Sequence, residues 1–439
     1  MMQNSGLMEN KISSPKVFVP MACDLIHEGH INILKKSKKL GHVIVGLLTD
    51  EAINVYKPLP IFNYARRKEI ISSIKYVDEI YKTNNWDYSR ALEDIKPEFV
   101  VHGDDWKENN QVKVRQNVIN QIKKWKGKLI EFPYTKGISS TSVKDVLRSN
   151  INPIFLRTQI FSRLIKSKNL IRVIEVHNGL SALVADRTKF KNKEFDCLWL
   201  SSLTHSASKG KPDIEYIDDT TVNSTINDIF EITLKPLIFD ADSGGRIEHL
   251  KYSISNLGRL GVSAVIIEDK IGSKKNSLSK KNNTQKQDSI ANFKRKLIEV
   301  KKVSSQNGVF IFARIESLIL GKGLDDAIKR AKNYINAGAD GIMIHSKKQT
   351  PKEIFDFCKL YNNLVNRKPL VVVPSTFHKT YEKDFYNHGA NIVIYANHLL
   401  RASIPAMEKV AKSILEFERS SEVESEMKKI DDLLDFTEK

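Results

Sequence analysis

Eight apolar runs recur along the last two thirds of the chain: RVIEVHN (172–178), DCLWLSS (196–202), PLIFDAD (236–242), AVIIEDK (264–270), VFIFARIES (309–317), GIMIHS (341–346), LVVVPST (370–376) and IVIYAN (392–397). Continuous runs of this kind, rich in Val and Ile, are the pattern of strands buried on both faces. Eight of them with intervening helical stretches over about 250 residues predict a (β/α)8 barrel. Most end in a polar or charged residue. In a barrel of parallel strands that end carries the chemistry.

The first third repeats the alternation on a smaller scale. Strands are expected at KVFVP (16–20), HVIVGLL (42–48), EFVVHG (98–103) and KLIEFP (128–133), with helical stretches between them. Four or five such units match an open, doubly wound domain. SNINP (149–153), with its Asn residues and Pro153, marks a boundary. The expected organisation is an α/β chain with a first domain over 15–148, a linker over 149–154 and a barrel over 155–439. From 400 onward the tail reads as helix, and its charged end is expected to pack on a partner subunit.

Composition narrows the partners. No apolar run is long enough to span a bilayer, and the start, MMQNSGLMENKISSPK, lacks the apolar centre of a secretory signal. Cys23, Cys197 and Cys358 lie far apart with no CxxC spacing, so neither a disulfide framework nor a zinc site is expected, which suits a reducing cytoplasm. The net charge of +18 is spread along the whole length, and no nucleic-acid module accompanies it. A Lys-rich surface that draws in small anions is the expected reading, with no membrane or nucleic-acid partner.

Residues 264–278 carry the densest chemistry. Glu268, Asp269 and Lys270 end an apolar strand, and a short loop with Gly272, Lys274, Asn276 and Ser277 follows. A carboxylate there can serve a metal, and a loop bearing a Lys and an amide can close over an anion. Asp240 and Asp242 lie two apart at another strand end and so point to one side of the sheet. Oxygen donors of this kind suit Mg2+, which keeps several waters. Arg314 in ARIES and His345 in MIHSKK end two further strands, and Arg314 can fork onto a carboxylate or phosphoryl group.

CDLIHEGHINILKKSKKLG (23–41) places His27 and His30 around Gly29, where a strand hands over to a helix. Gly29 lets a phosphate approach the backbone, and a helix N-terminus points free N–H groups at an anion. An isolated HxGH would as readily be a pair of capping or surface histidines. Here GISSTSVK (137–144) supplies a second glycine-and-hydroxyl cradle, with LLTDE, YARRKEII, KYVDEIY and HGDDW between the two.

That ordered set resembles the cytidylyltransferases of the glycerol-3-phosphate cytidylyltransferase type, a Rossmann-like nucleotidyltransferase fold. The resemblance implies that His27 and His30 bind the triphosphate of CTP. Arg67 and Ser139, Ser140 and Thr141 would hold its phosphates, and Lys57 is a looser match as a phosphate contact. Attack by an acceptor oxyanion on the α-phosphorus would release pyrophosphate, with Mg2+ offsetting charge. Met21-Ala22-Cys23-Asp24 stands where relatives have GTFD, and Tyr134 where they have Arg. Both departures count against glycerol 3-phosphate as the acceptor.

The second domain resembles phosphoenolpyruvate mutase, of the isocitrate lyase superfamily. By that resemblance Trp199 walls the pyruvyl group, while Ser201 and the N–H groups of Ser202 and Leu203 hold its carboxylate. Asp242 contacts Mg2+ directly, and Asp240, Asp213 and Glu268 hold its waters. Arg314 and His345 face the anionic end of the substrate, Asp213 assists phosphoryl transfer, and Lys274, Asn276 and Ser277 match the KxNS of the mutase gate. Isocitrate lyases carry a catalytic Cys in that loop, and phosphonopyruvate hydrolases tend to carry Thr at the position of Asn276. Asn276 therefore favours mutase over hydrolase or C–C lyase. Together the domains resemble bifunctional phosphonate-biosynthesis enzymes of the fosfomycin-pathway type. The expected substrates are phosphoenolpyruvate, CTP and a small phosphonate such as 2-hydroxyethylphosphonate or 2-aminoethylphosphonate. A homo-oligomer, dimer or tetramer, is expected through the barrel.

Overall fold

A computed structural model of the chain describes residues 14–57, 59–107, 112–133, 153–277 and 285–438. Two compact units emerge, one of residues 1–152 with 166–168 and one of residues 153–165 with 169–439.

The first unit is built on a five-stranded parallel sheet. Its order across the sheet is Glu79–Thr83, His42–Leu48, Lys16–Met21, Phe99–Gly103 and Lys128–Phe132. Alternate residues of the central strands feed two cores. Phe18, Ile44 and Val100 face one side, and Val17, Val19, Val43, Val45 and Val101 the other. Strand order reverses beside Lys16–Met21, and in such sheets ligands bind outside the strand ends at the reversal. The helix Glu28–Lys38 starts there. The edge strand Glu79–Thr83 was not among the expected strands, because EIYKT has no continuous apolar run: Glu79 and Lys82 are exposed and only Thr83 is buried.

The second unit is a closed barrel of eight parallel strands joined in chain order. They are Ile171–Glu175, Cys197–Leu200, Leu237–Asp240, Ala264–Glu268, Phe310–Ile315, Gly341–Ile344, Leu370–Val372 and Ile392–Tyr395, the first beginning one residue before its apolar run and the other seven inside theirs. The barrel interior is a packed core rather than a pore, and close packing shows where a large side chain meets a glycine on the next strand. Phe312 lies in register with Gly341, where an added Cβ would sit 1.9 Å from the Phe312 ring. The barrel closes where Ile392–Tyr395 pairs with Ile171–Glu175. At that seam the buried Glu175 carboxylate accepts from Leu399 N at 3.0 Å and Leu400 N at 3.3 Å, anchoring the start of the helix His398–Phe417. A carboxylate is favoured there by the partial positive charge of a helix N-terminus. Among the described residues, no helix is long and apolar enough to cross a membrane.

Candidate active sites

Every residue proposed from sequence for the barrel site lines one cavity at the C-terminal ends of the strands. Asp240 ends its strand, and Asp242, two residues on, sits at φ +51, a left-handed conformation that is costly for a residue with a Cβ. The barrel holds it there: Ala241 N donates to Ile266 O at 3.0 Å and Glu268 N to Asp242 O at 2.7 Å. Ser202 Oγ donates to Asp242 Oδ1 at 2.8 Å and lies 3.4 Å from Asp240 Oδ2. Ser202 and Leu203 open the helix Ser202–Ser208, whose first-turn N–H groups have no acceptor within the helix.

The loop after Ala264–Glu268 folds onto this floor. Lys274 Nζ lies 2.6 Å from Asp213 Oδ1 and also contacts Asp242 Oδ1 and Ser202 Oγ. Asn276 Nδ2 donates to Asp213 Oδ2 at 3.0 Å. Ser277 Oγ donates to Glu316 Oε2 at 2.9 Å and accepts from Arg314 Nη2 at 2.8 Å. Although burial favours neutral Lys274, Asp242, Asp240 and Asp213 together raise its pKa to about 12. The ammonium is therefore a fixed charge.

Glu316 is the hub that sequence reasoning passed over. It is fully buried, and its Oε1 accepts from Arg314 Nε at 2.7 Å and sits 2.7 Å from His345 Nε2. Burial works against ionisation, but Arg314, His345 and Lys270 outweigh it and hold Glu316 well below the usual carboxylate range. Burial lowers the His345 pKa, with Glu316 pulling the other way. The signal was present, since Glu316 follows Arg314 by two residues and so shares its side of the strand.

Asp240, Asp242 and Glu268 are all buried on neighbouring strand ends. Burial and the nearby Asp240 push Asp242 well above its ordinary value, and burial raises Glu268 to about 7 despite Arg314. Such a cluster needs nearby cations, and here it has Lys270 Nζ 3.1 Å and Arg314 Nη2 3.3 Å from Glu268, with Lys274 against Asp242. Hard oxygen donors with surplus negative charge fit Mg2+ by their chemistry. Among the described residues, no three His, Cys, Asp or Glu side chains converge as a ready chelate.

In the first unit, His27 caps the helix Glu28–Lys38. Its Nδ1 accepts from Gly29 N at 3.2 Å, and His30 Nδ1 lies 3.4 Å from His27 N. The two rings are 4.0 Å apart. Burial lowers both pKa values, that of His30 to about 3 with help from His27 and Lys57. Both imidazoles are thus neutral at pH 7. A neutral ring whose Nδ1 accepts from the backbone carries its proton on Nε2, which is left as a donor. Capping through Nδ1 therefore does not conflict with the anion-facing role expected from sequence.

Arg67 corrects the sequence reading. Its side chain is fully buried, with Nε on Phe62 O at 3.0 Å, Nη1 on Ala22 O at 2.6 Å and Leu48 O at 2.8 Å, and Nη2 on Asp50 at 2.7 Å. These bonds leave the guanidinium tying the sheet ends together rather than facing a phosphate. Lys57 is exposed and close enough to His30 to lower its pKa. Ser139, Ser140, Thr141 and Tyr134 lie outside the described residues. In the departing Met21–Asp24 segment, burial raises the Cys23 thiol to about 12, so it is no nucleophile.

Comparison with known proteins follows the division into units. Residues 161–415 match the family model for phosphoenolpyruvate phosphomutase, and residues 23–146 match that described as cytidylyltransferase-like. The chain is 34% identical over 275 residues to a phosphoenolpyruvate phosphomutase of Tetrahymena pyriformis, covering 62% of this chain and 89% of the relative. It is 30% identical over 132 residues to the glycerol-3-phosphate cytidylyltransferase of Bacillus subtilis, covering 30% of this chain and 95% of the relative. A crystal structure of phosphonopyruvate hydrolase with oxalate and Mg2+ superimposes with a TM-score of 0.58 at 29% identity, covering 64% of this chain and 94% of that one.

Proposed function

Because the chain belongs to the phosphoenolpyruvate phosphomutase family over its barrel and to the cytidylyltransferase-like family over its first unit, we propose that it forms a carbon–phosphorus bond at one site and activates a phosphonate with CTP at the other. The barrel would isomerise phosphoenolpyruvate to phosphonopyruvate. The observation that carries this over hydrolysis is the Asn276 amide on Asp213, beside Lys274, which holds that stretch of the loop against the cavity, where it would keep water out.

In the reaction the bond from phosphorus to the enol oxygen breaks and a bond from phosphorus to C3 forms, with no net proton taken up or lost. Ser201 and the N–H groups of Ser202 and Leu203 would hold the pyruvyl carboxylate against Trp199. Arg314, aligned by Glu316, would face the phosphoryl oxygens with His345. Lys274 and Asn276 would guide the phosphoryl group past Asp213 and keep water from it. Mg2+, held by Asp242 and, through water, by Asp240, Asp213 and Glu268, would supply positive charge opposite the enolate oxygen.

At the first site a phosphonate oxygen would attack the α-phosphorus of CTP and expel pyrophosphate. His27 and His30 would donate from Nε2 to the phosphates, with Lys57 and Ser139–Thr141 as further contacts. The acceptor would be 2-hydroxyethylphosphonate or 2-aminoethylphosphonate. Phosphonopyruvate must be decarboxylated, and reduced or aminated, before it becomes either, so other enzymes act between the two sites. A homo-oligomer through the barrel is supported by exposed Met407, Leu415 and Phe417 on the helix His398–Phe417. A cytoplasmic location belongs to the same proposal.

Phosphorus NMR of the protein with phosphonopyruvate and Mg2+ tests the barrel. Phosphoenolpyruvate is the expected product, and pyruvate with phosphate alone would establish a hydrolase. Pyrophosphate release from CTP with each phosphonate tests the acceptor.

A further inference from the structure

Lys270 has no role in the chemistry above, yet its ammonium is among the most heavily engaged in the barrel. Its side chain is 5% exposed. Nζ donates to Ser277 Oγ at 2.7 Å, Lys275 O at 3.2 Å and Gln285 Oε1 at 3.4 Å, all on the loop. It also lies 3.1 Å from Glu268 Oε1 and 3.8 Å from Glu316 Oε2, which belong to the barrel floor. One side chain thus joins the floor carboxylates to the loop that carries Lys274, Asn276 and Ser277.

Its base is rigid. Lys270 and Ile271 pair antiparallel with Gln287 and Lys286, so the two ends of the loop are stapled to each other. The adjacent Asp269 is fully buried and accepts from Tyr334 Oη at 2.7 Å, Gln287 Nε2 at 2.9 Å, Glu316 N at 2.9 Å and Arg330 Nη1 at 3.1 Å. Asp288 N donates to Asp269 O at 2.8 Å. The loop's feet are therefore clamped by Asp269, and its catalytic stretch is held down from below by Lys270. A lysine suits the place because a compact ammonium has three donors on a flexible stem, whereas a guanidinium is a planar fork.

We propose that Lys270 is a positioning residue that ties the loop to the barrel carboxylates and so decides whether the phosphoryl group meets carbon or water. This rests on the mutase reading. A loop lifted by as little as 1 Å costs about 10²-fold in rate and admits solvent.

Two readouts on the full-length protein test it. One is turnover of phosphonopyruvate, with the ratio of phosphoenolpyruvate to pyruvate followed by phosphorus NMR. The other, independent of activity, is the rate of tryptic cleavage after the exposed Lys275, followed by mass spectrometry. Lys270→Met should lower kcat about 10²-fold, raise the pyruvate share and speed cleavage about tenfold. Lys270→Arg should restore part of each. Gln285→Ala, outside the buried core, should move all three readouts the same way by about two- to threefold. It keeps the test decisive if Lys270→Met does not fold. Wild-type ratios and cleavage rates in the folded variants would overturn the proposal. Pyruvate as the only product of the wild type would overturn the mutase reading instead, and the cleavage rates would still judge Lys270.

Discussion

The two strand-end sites use opposite electrostatic materials. In the barrel, Lys270, Lys274 and Arg314 are interlocked with Asp213, Asp240, Asp242, Glu268 and Glu316, most of them removed from water. Among the described residues of the first unit, the helix start at the strand ends carries two neutral imidazoles with Lys57 close to His30, and the buried arginine holds the scaffold. A site that keeps water from a loosely bonded phosphoryl group must carry its own compensating charges, because solvent is absent when charge moves. A site for a triphosphate can leave most of the charge to its ligand and offer hydrogen bonds.

The largest effect that would break this contrast is expected at Asp242. Asp242→Ala should lower phosphonopyruvate turnover by about 10³-fold or more while CTP turnover is unchanged. If one substitution stopped both reactions in a folded chain, the sites would not be independent. Arg67→Met comes next. Removing one partner of a buried ion pair should cost about 3–5 kcal/mol, read from urea unfolding of the first unit. Unchanged stability with a raised KM for CTP would return Arg67 to the phosphate and charge the first site like the second. His30→Ala should lower CTP turnover about 10²-fold and leave the barrel untouched.

The smallest effect is on pH. In the unfolded chain His30 takes up a proton near its ordinary 6.5, but in the folded unit only near 3. Between those values the unfolded state binds more protons, so stability of the first unit falls as pH is lowered from 6.5 toward 3. His30→Gln should remove that share of the slope, measured as the urea midpoint against pH. An unchanged slope would show that His30 is not held neutral.

The same contrast governs how much could be read in advance. All eight barrel strands were legible because strands buried on both faces are apolar throughout. The edge strand Glu79–Thr83 was not, because one side of it meets water. YARRK showed a pair of arginines without saying which one the helix turns inward. Arg66 is exposed and Arg67 is buried. Glu316 and Lys270 stood in plain view beside assigned residues, but their partners lie 29 and 46 residues from them in the case of His345 and Glu316 respectively.

What the amino-acid order determined by itself was local: which segments become buried strands, where helices begin, and which polar groups are delivered to strand ends. Burial periodicity and end signals act over a few residues, so they can be read without the fold. Which of those charges meet was decided only by the closed barrel and the twisted sheet. Coulombic and hydrogen-bond energies depend on separations of a few ångströms between residues distant in sequence. A lysine becomes the tie of a loop, and an arginine a strut rather than a phosphate ligand, only once those separations are set.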